Sequence, residues 1–256
     1  MTTTRSGLTD SVAVLTARNV QRYRRIPSLA VFTLVMPIMF VVLFRVVFAG
    51  AIRIPGHSYV DFLLPGMLVQ TILFGSTQSG VAFAEDRSAG ALDQFRSLPI
   101  RATAVFAARA LSDTLRNAVT VAIMLAVGVA VGFRIHTPAP SAIAGIGVAL
   151  LAGAAFSWVA ALIGLALNHV ESAHDAGFVW VIPLTFASSL FVPIHTMPGW
   201  FQPLARANPI TAFVDATRAL LIGGAVAHPL IWACVWSAGL FAIFTPLSGH
   251  RYRQLG

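Results

Sequence analysis

Six stretches of roughly 20 apolar residues recur along the chain, near 29–49, 62–84, 107–132, 142–167, 174–194 and 228–247. At 1.5 Å of rise per residue, such a stretch crosses a hydrocarbon core of about 30 Å as a helix. In lipid every backbone N–H and C=O must be met inside the segment, and a helix does this. The runs therefore predict an all-α integral membrane protein of six transmembrane helices, forming a single transmembrane domain over residues 1–256. Composition agrees where it bears on the point: 57% of residues are hydrophobic and only 10% are charged, with a mean hydropathy of +0.80. A soluble domain carries about 25% charged residues.

An even number of spans puts both termini on one side. With that side cytoplasmic, the inner segments hold Arg5, Arg18, Arg22, Arg24, Arg25, Arg87, Arg96, Arg101, Arg251 and Arg253, and the outer ones hold Arg53, Arg134, Arg206 and Arg218. The excess of inner arginines selects this orientation, with both termini cytoplasmic. Residues 1–28 then form an N-terminal cytoplasmic interfacial helix, weakly amphipathic through Val12 and Leu15 and ended by Pro27. They show no short apolar core with a cleavage site, so they do not read as a removed signal peptide.

All 17 basic residues are arginine. Without lysine there is no GxxxxGK[ST] phosphate loop and no Schiff base, so any nucleotide chemistry must come from another chain. Cys234 is the single cysteine, which leaves no intrachain disulfide and no CxxC site. The net charge of +8 comes from arginines beside the membrane segments, not from a basic face interleaved with aromatics. Anionic lipid headgroups fit that pattern and nucleic acid does not.

Between the second and third spans runs the longest polar interruption of the hydrophobic body, EDRSAGALDQFRSLPIR at 85–101. Ser88 is placed to cap a short helix, Leu92, Phe95 and Leu98 line one face, and Asp93, Gln94 and Arg96 cover the other. Pro99 ends it. Such an element presents an apolar ridge at the membrane surface, suited either to a partner's groove or to packing on its own bundle.

Polar residues inside the spans fall into groups. Gln70, Thr71, Thr77 and Gln78 of the second span, with Phe74 among them, and Thr185, Ser188 and Ser189 of the fifth are candidates for lining a path for an amphiphilic solute; interhelical hydrogen bonding is the competing account. Arg109, Asp113 and Arg116 share one face of the third span, and the cheaper reading has this helix enter the membrane near Asn117 with Arg116 reaching out to headgroups. No carboxylate is expected in mid-span, which argues against proton coupling. Gly128 and Gly132 form a GxxxG packing signal. His169, Glu171, His174 and Asp175 crowd one short loop, but histidines five apart do not match a helical zinc site, and no metal is expected.

The stretch 195–227 precedes the sixth span. Pro198–Gly199–Trp200 makes a turn with an interfacial aromatic. Asn208 is a helix N-cap followed by Pro209 at the first helical position, Ile210, Phe213, Val214, Thr217, Leu220 and Leu221 recur at helical spacing, and Asp215 pairs with Arg218. Gly223–Gly224 ends the helix. At about 14 residues it is too short to span, which predicts an outer re-entrant segment in which Pro198, Trp200, Asn208, Pro209, Asp215 and Arg218 form a gate or simply pack.

SAGALDQFRSLPIRA (88–102) and FVPIHTMPGWFQPLARANPITAFVDATRALLIGG (191–224) resemble the two signature regions of ABC-2 type permeases, in particular the daunorubicin-resistance DrrB-like group of multidrug exporters. The similarity runs from the first span to the last, and PGW, NPIT and VDATRAL in order are the specific part. The resemblance implies a permease of the bacterial cytoplasmic membrane that pairs with a second permease copy or paralogue and with two separately encoded ABC ATPase subunits. It also implies that the cytoplasmic coupling helix is the loop after the second span. That role would fall to Glu85, Asp86, Arg87, Gly90, Leu92, Asp93, Phe95, Arg96, Leu98 and Pro99.

The resulting expectation is the membrane subunit of an ATP-driven exporter of an amphiphilic drug, antibiotic or lipid, itself no enzyme and without a cofactor. Export of a polysaccharide or lipid-linked glycan is the alternative; the three tyrosines in the whole chain weigh against a sugar-stacking channel. A lipid-modifying enzyme needs acid, base and nucleophile at one depth, whereas His57, His195, His228, Asp61 and Asp215 are scattered.

Overall fold

Ser58 and Asp61 start the helix around which the others pack. In the computed structural model, which describes residues 35, 38–43, 46, 47, 56, 58–90, 102–167 and 169–254, the Ser58 hydroxyl accepts from Asp61 N at 3.1 Å. Ser58 N in turn donates to Asp61 Oδ2 at 3.2 Å, closing a capping box. Helix α1 (Tyr59–Ser88) follows, then α2 (Ala102–Val131), α3 (Ala139–Ala166), α4 (Val170–Phe186), a 3-10 turn (Ile194–Thr196), α5 (Gln202–Ala207), α6 (Pro209–Ile222) and α7 (Ala227–Gln254). The described residues contain helices and no strands. Residues 38–43, within the expected first span, are helical, and Val41 packs into the core. The expected interfacial segment 1–28 lies outside the described residues.

Among the described residues, α1, α2, α3 and α7 are each long and apolar enough to cross a membrane. They carry the stretches expected at 62–84, 107–132, 142–167 and 228–247. Helix α4 has 17 residues and ends at Phe186, not near 194. The cause is local chemistry: the Ser188 hydroxyl donates to Thr185 O at 2.6 Å and accepts from Leu190 N at 3.3 Å, which turns the chain out of the helix.

Helix α1 is buried on nearly every side, and its small residues set how closely its neighbours approach. Along α3, which runs parallel to it, Gly153 faces Ile72, and Gly80 meets Ala160 and Gly164 backbone to backbone. A Cβ on Gly164 would overlap the Gly80 carbonyl oxygen. On α2, antiparallel to α1, Gly128 faces Leu64. Gly132, at φ +107°, ends α2. On α4, also antiparallel, Gly177 faces Thr77. The outer helices are covered far less: Ile231, Trp232, Val235, Ile243 and Leu247 of α7 are exposed, as are Leu111, Leu115 and Val119 of α2, a surface that suits lipid.

Several expectations need correction. Ser88 caps no new helix; it lies in the last turn of α1, and its hydroxyl donates to Glu85 O at 3.0 Å. Glu85, Asp86 and Arg87 are likewise helical, because the α1 pattern continues to the turn at Gly90, φ +67°. Arg116 does not reach out to headgroups. Its guanidinium turns inward to Gly75 O at 2.7 Å, in a niche that Gly75 leaves by lacking a side chain. In the first half of α2, Asp113 is 3% exposed, its burial offset by charged and hydroxyl partners.

Candidate functional site

Asn208 joins two helix ends. Its Oδ1 accepts from Ile210 N at 2.9 Å, capping α6 with Pro209 at the first helical position. Its Nδ2 donates to Leu184 O at 2.7 Å and Ala187 O at 2.8 Å, satisfying carbonyls that α4 leaves open at its end. Helix α6 then runs to Ile222, where Gly223 and Gly224, at φ +97° and +122°, stop it.

Arg218 of α6 faces α1. Its Nε donates to Phe62 O at 3.0 Å, and the guanidinium carbon stands 3.7 Å from the Phe62 ring centroid. Nη1 donates to Asp215 Oδ1 at 2.8 Å, and Nη2 to Ser189 O at 3.1 Å. The same Asp215 oxygen accepts from the Ser189 hydroxyl at 2.6 Å. The i, i+3 pairing of Asp215 with Arg218 was legible from spacing; Phe62 and the Ser189 carbonyl were missed. The available signal was an arginine in a short, mostly apolar helix, whose five N–H donors exceed what one carboxylate at i−3 can accept and so call for partners on a neighbouring element. Among the other expected gate residues, Pro198 O accepts from Phe201 N at 2.9 Å, making the turn, and Trp200 is 79% exposed with an edge-to-face contact on Phe201.

The expected path residues lie mostly inside the chain, between α1 and the α4 end. Thr71 and Thr77 donate to carbonyls of their own helix, Met67 O at 2.8 Å and Phe74 O at 2.7 Å. Ser188 and Ser189 are spent as described above. Phe74 packs on Phe178 of α4 with centroids 5.6 Å apart. Gln78 is exposed. Two polar atoms stand out: Gln70 Oε1 and Thr185 Oγ1 are buried with no hydrogen-bond partner among the described residues.

Toward the Ser88 end, Asp113 lies between Arg109 at 3.7 Å and Arg116 at 3.5 Å, and accepts from the Ser79 hydroxyl of α1. Arg87 Nη1 donates to Leu165 O at 3.0 Å and Leu167 O at 3.3 Å, so it closes the C-terminus of α3. Of the stretch 85–101 expected to dock a partner, the structure describes 85–90; Leu92, Asp93, Phe95, Arg96, Leu98 and Pro99 lie outside the described residues. Among the described residues no three His, Cys, Asp or Glu side chains come together as metal ligands, and His174 pairs with Asp175 at 3.5 Å.

Comparison with known proteins gives the arrangement a context. Residues 10–222 match the family described as ABC-2 type transporter. The chain is 31% identical over 237 residues to the daunorubicin resistance ABC transporter permease protein DrrB1 of Streptomyces coeruleorubidus, covering 93% of this chain and 84% of that protein. It is 27% identical over 240 residues to a probable doxorubicin resistance ABC transporter permease, DrrC, of Mycobacterium tuberculosis, at 93% and 87% coverage. A probable multidrug ABC transporter permease of Escherichia coli, YbhR, is 23% identical over 184 residues, covering 71% of this chain and 49% of that protein.

Proposed function

This chain belongs to the ABC-2 type transporter family, and from that premise we propose that it is the transmembrane permease subunit of an ATP-driven exporter of an amphiphilic drug, antibiotic or lipid. The observation that carries the reading is the match over 93% of the chain to permeases named for daunorubicin and doxorubicin resistance. Membrane-length apolar helices support a multi-pass protein. In the full reading it has six spans in a bacterial cytoplasmic membrane, with both termini cytoplasmic and 195–227 re-entrant from outside.

Two such permeases, identical or paralogous, assemble with two separately encoded ATPases that bind the ATP and Mg. Residues 85–101 are the docking site: Leu92, Phe95 and Leu98 enter a groove of the ATPase, with Glu85, Asp86 and Arg96 at its rim. Arg87, bonded to the end of α3, holds the base of that loop. Closure of the two ATPases on ATP draws the docking loops together and rocks the permeases. Solute moves along the polar seam of Gln70, Thr71, Phe74, Thr77 and Gln78 against Thr185, Ser188 and Ser189. The buried, unpartnered Gln70 Oε1 and Thr185 Oγ1 support that route. Leaving such atoms unmet costs about 1–3 kcal/mol each, which water or a solute that reaches them would recover.

Co-expression with the ATPase encoded beside it tests the reading. Purified through the permease, the wild-type chain retains the ATPase and Phe95→Asp loses it. In nanodiscs, hydrolysis rises with anthracyclines or lipids. Stimulation by a lipid-linked glycan alone would move the cargo to the glycan class, and no associated ATPase in the wild type would sink the assignment.

A further inference from the structure

The Arg218 contacts do more than close a loop on itself. Through Phe62 they reach the first turn of α1, and through Ser189 and Asp215 they reach the 188–190 turn and α6. One turn further along, Gly66 of α1 lies against Leu190; a Cβ on Gly66 would stand 3.0 Å from Leu190 O. Pro65 is the one proline inside α1, and it sits between these two attachments, so any bend it makes is bridged by the same fastening.

From Gly66 to Ser88 the helix continues without a break. Its two flexible positions there are pinned. Gly75 lies against Arg116 and Asn117, and Gly80 against the α3 backbone. Ser79 is tied to Asp113, and Arg87 to the end of α3. The Ser88 end is itself the start of the 85–101 stretch.

We infer that α1 carries motion from the docking stretch to the re-entrant segment as one rigid body, with Arg218 as the positioning residue that fastens α6 and the 188–190 turn to it. This rests on the proposed role of 85–101 as the ATPase docking loop. The gate then moves with α1 and does not open by parting from it. Interfaces of packed backbone and guanidinium–carbonyl hydrogen bonds resist gradual separation, whereas a rigid unit can swing against its neighbours.

A disulfide across the fastening distinguishes the two. A Cβ on Gly66 lies 3.4 Å from Leu190 Cα, so cysteines at the two positions are neighbours, and whether the bond forms is read directly. Gly66→Cys with Leu190→Cys, in a Cys234→Ser background and purified with the ATPase, is oxidised in nanodiscs and checked by peptide mass. The cross-linked complex is expected to hydrolyse ATP and move daunorubicin, used as the fluorescent probe, at the rate of the reduced complex. Arrest on oxidation that reverses on reduction would overturn the inference. A second arm does not depend on the cysteines: Arg218→Lys keeps the charge but loses the fork, and transport is expected to be lost while hydrolysis persists. Transport and hydrolysis both at wild-type rates would count against the fastening. A wild-type complex that holds no ATPase strikes instead at the functional reading.

Discussion

Gly164 of α3 sits so close to Gly80 of α1 that a Cβ on Gly164 would overlap the Gly80 carbonyl oxygen. Two parallel helices meet here through backbone alone, and no side-chain rotamer can relieve an added methyl. Gly164→Ala is therefore expected to force the helices apart and cost about 1–3 kcal/mol. Gly147→Ala on the same helix, where nothing lies within 4 Å, is expected to be neutral or slightly stabilising. Thermal unfolding in detergent, run side by side, checks the contrast; equal effects would mean the crossing is looser than described.

Asn208 serves two helices with one side chain, so its substitutions should rank by what they retain. Asn208→Ala loses both the α6 cap and the two donors to α4 carbonyls, at about 2 kcal/mol. Asn208→Ser keeps a cap oxygen but cannot reach both carbonyls, and should fall between alanine and wild type. Melting temperatures in one detergent give the order directly.

The same residue shows what a sequence discloses. Asn208–Pro209 and Gly223–Gly224 mark the ends of α6 because capping is local chemistry, written within a few residues. The Asp215–Arg218 pair follows from helical spacing. What Arg218 reaches on α1 does not, since Phe62 lies 156 residues away and no periodicity links them. Arg116 misled for a related reason. Snorkelling is the cheaper reading from the third span alone because the Gly75 carbonyl, which receives the guanidinium, lies on α1. The hydroxyls of Thr71 and Thr77 bond to carbonyls of their own helix, which spacing alone does not distinguish from hydroxyls left open to a neighbour.

Asp113 is shared by Arg109, Arg116 and Ser79, so its loss should exceed that of any one partner. Asp113→Asn leaves buried guanidinium charge without its carboxylate, a change that costs about 3–5 kcal/mol in buried pairs. Ser79→Ala removes a single hydrogen bond to a charged group, at about 1.5–3 kcal/mol. The folded yield and melting temperature of Asp113→Asn are expected to fall below those of Ser79→Ala. The reverse order would mean that the ion pairs are solvated and only the hydroxyl matters.

Thr185 separates packing from transport most cleanly. Its hydroxyl is fully buried and unpartnered, so the resting fold pays for a polar atom it does not use. Thr185→Val keeps the shape and removes that atom, and stability is expected to stay level or rise by up to about 1 kcal/mol. If a solute passes Thr185, the same change removes a hydrogen-bonding group at the moment it is needed. Drug-stimulated ATP hydrolysis in nanodiscs should then fall although the melting temperature does not. A variant as active as wild type would exclude Thr185 from the path and leave its hydroxyl as an uncompensated feature of the core.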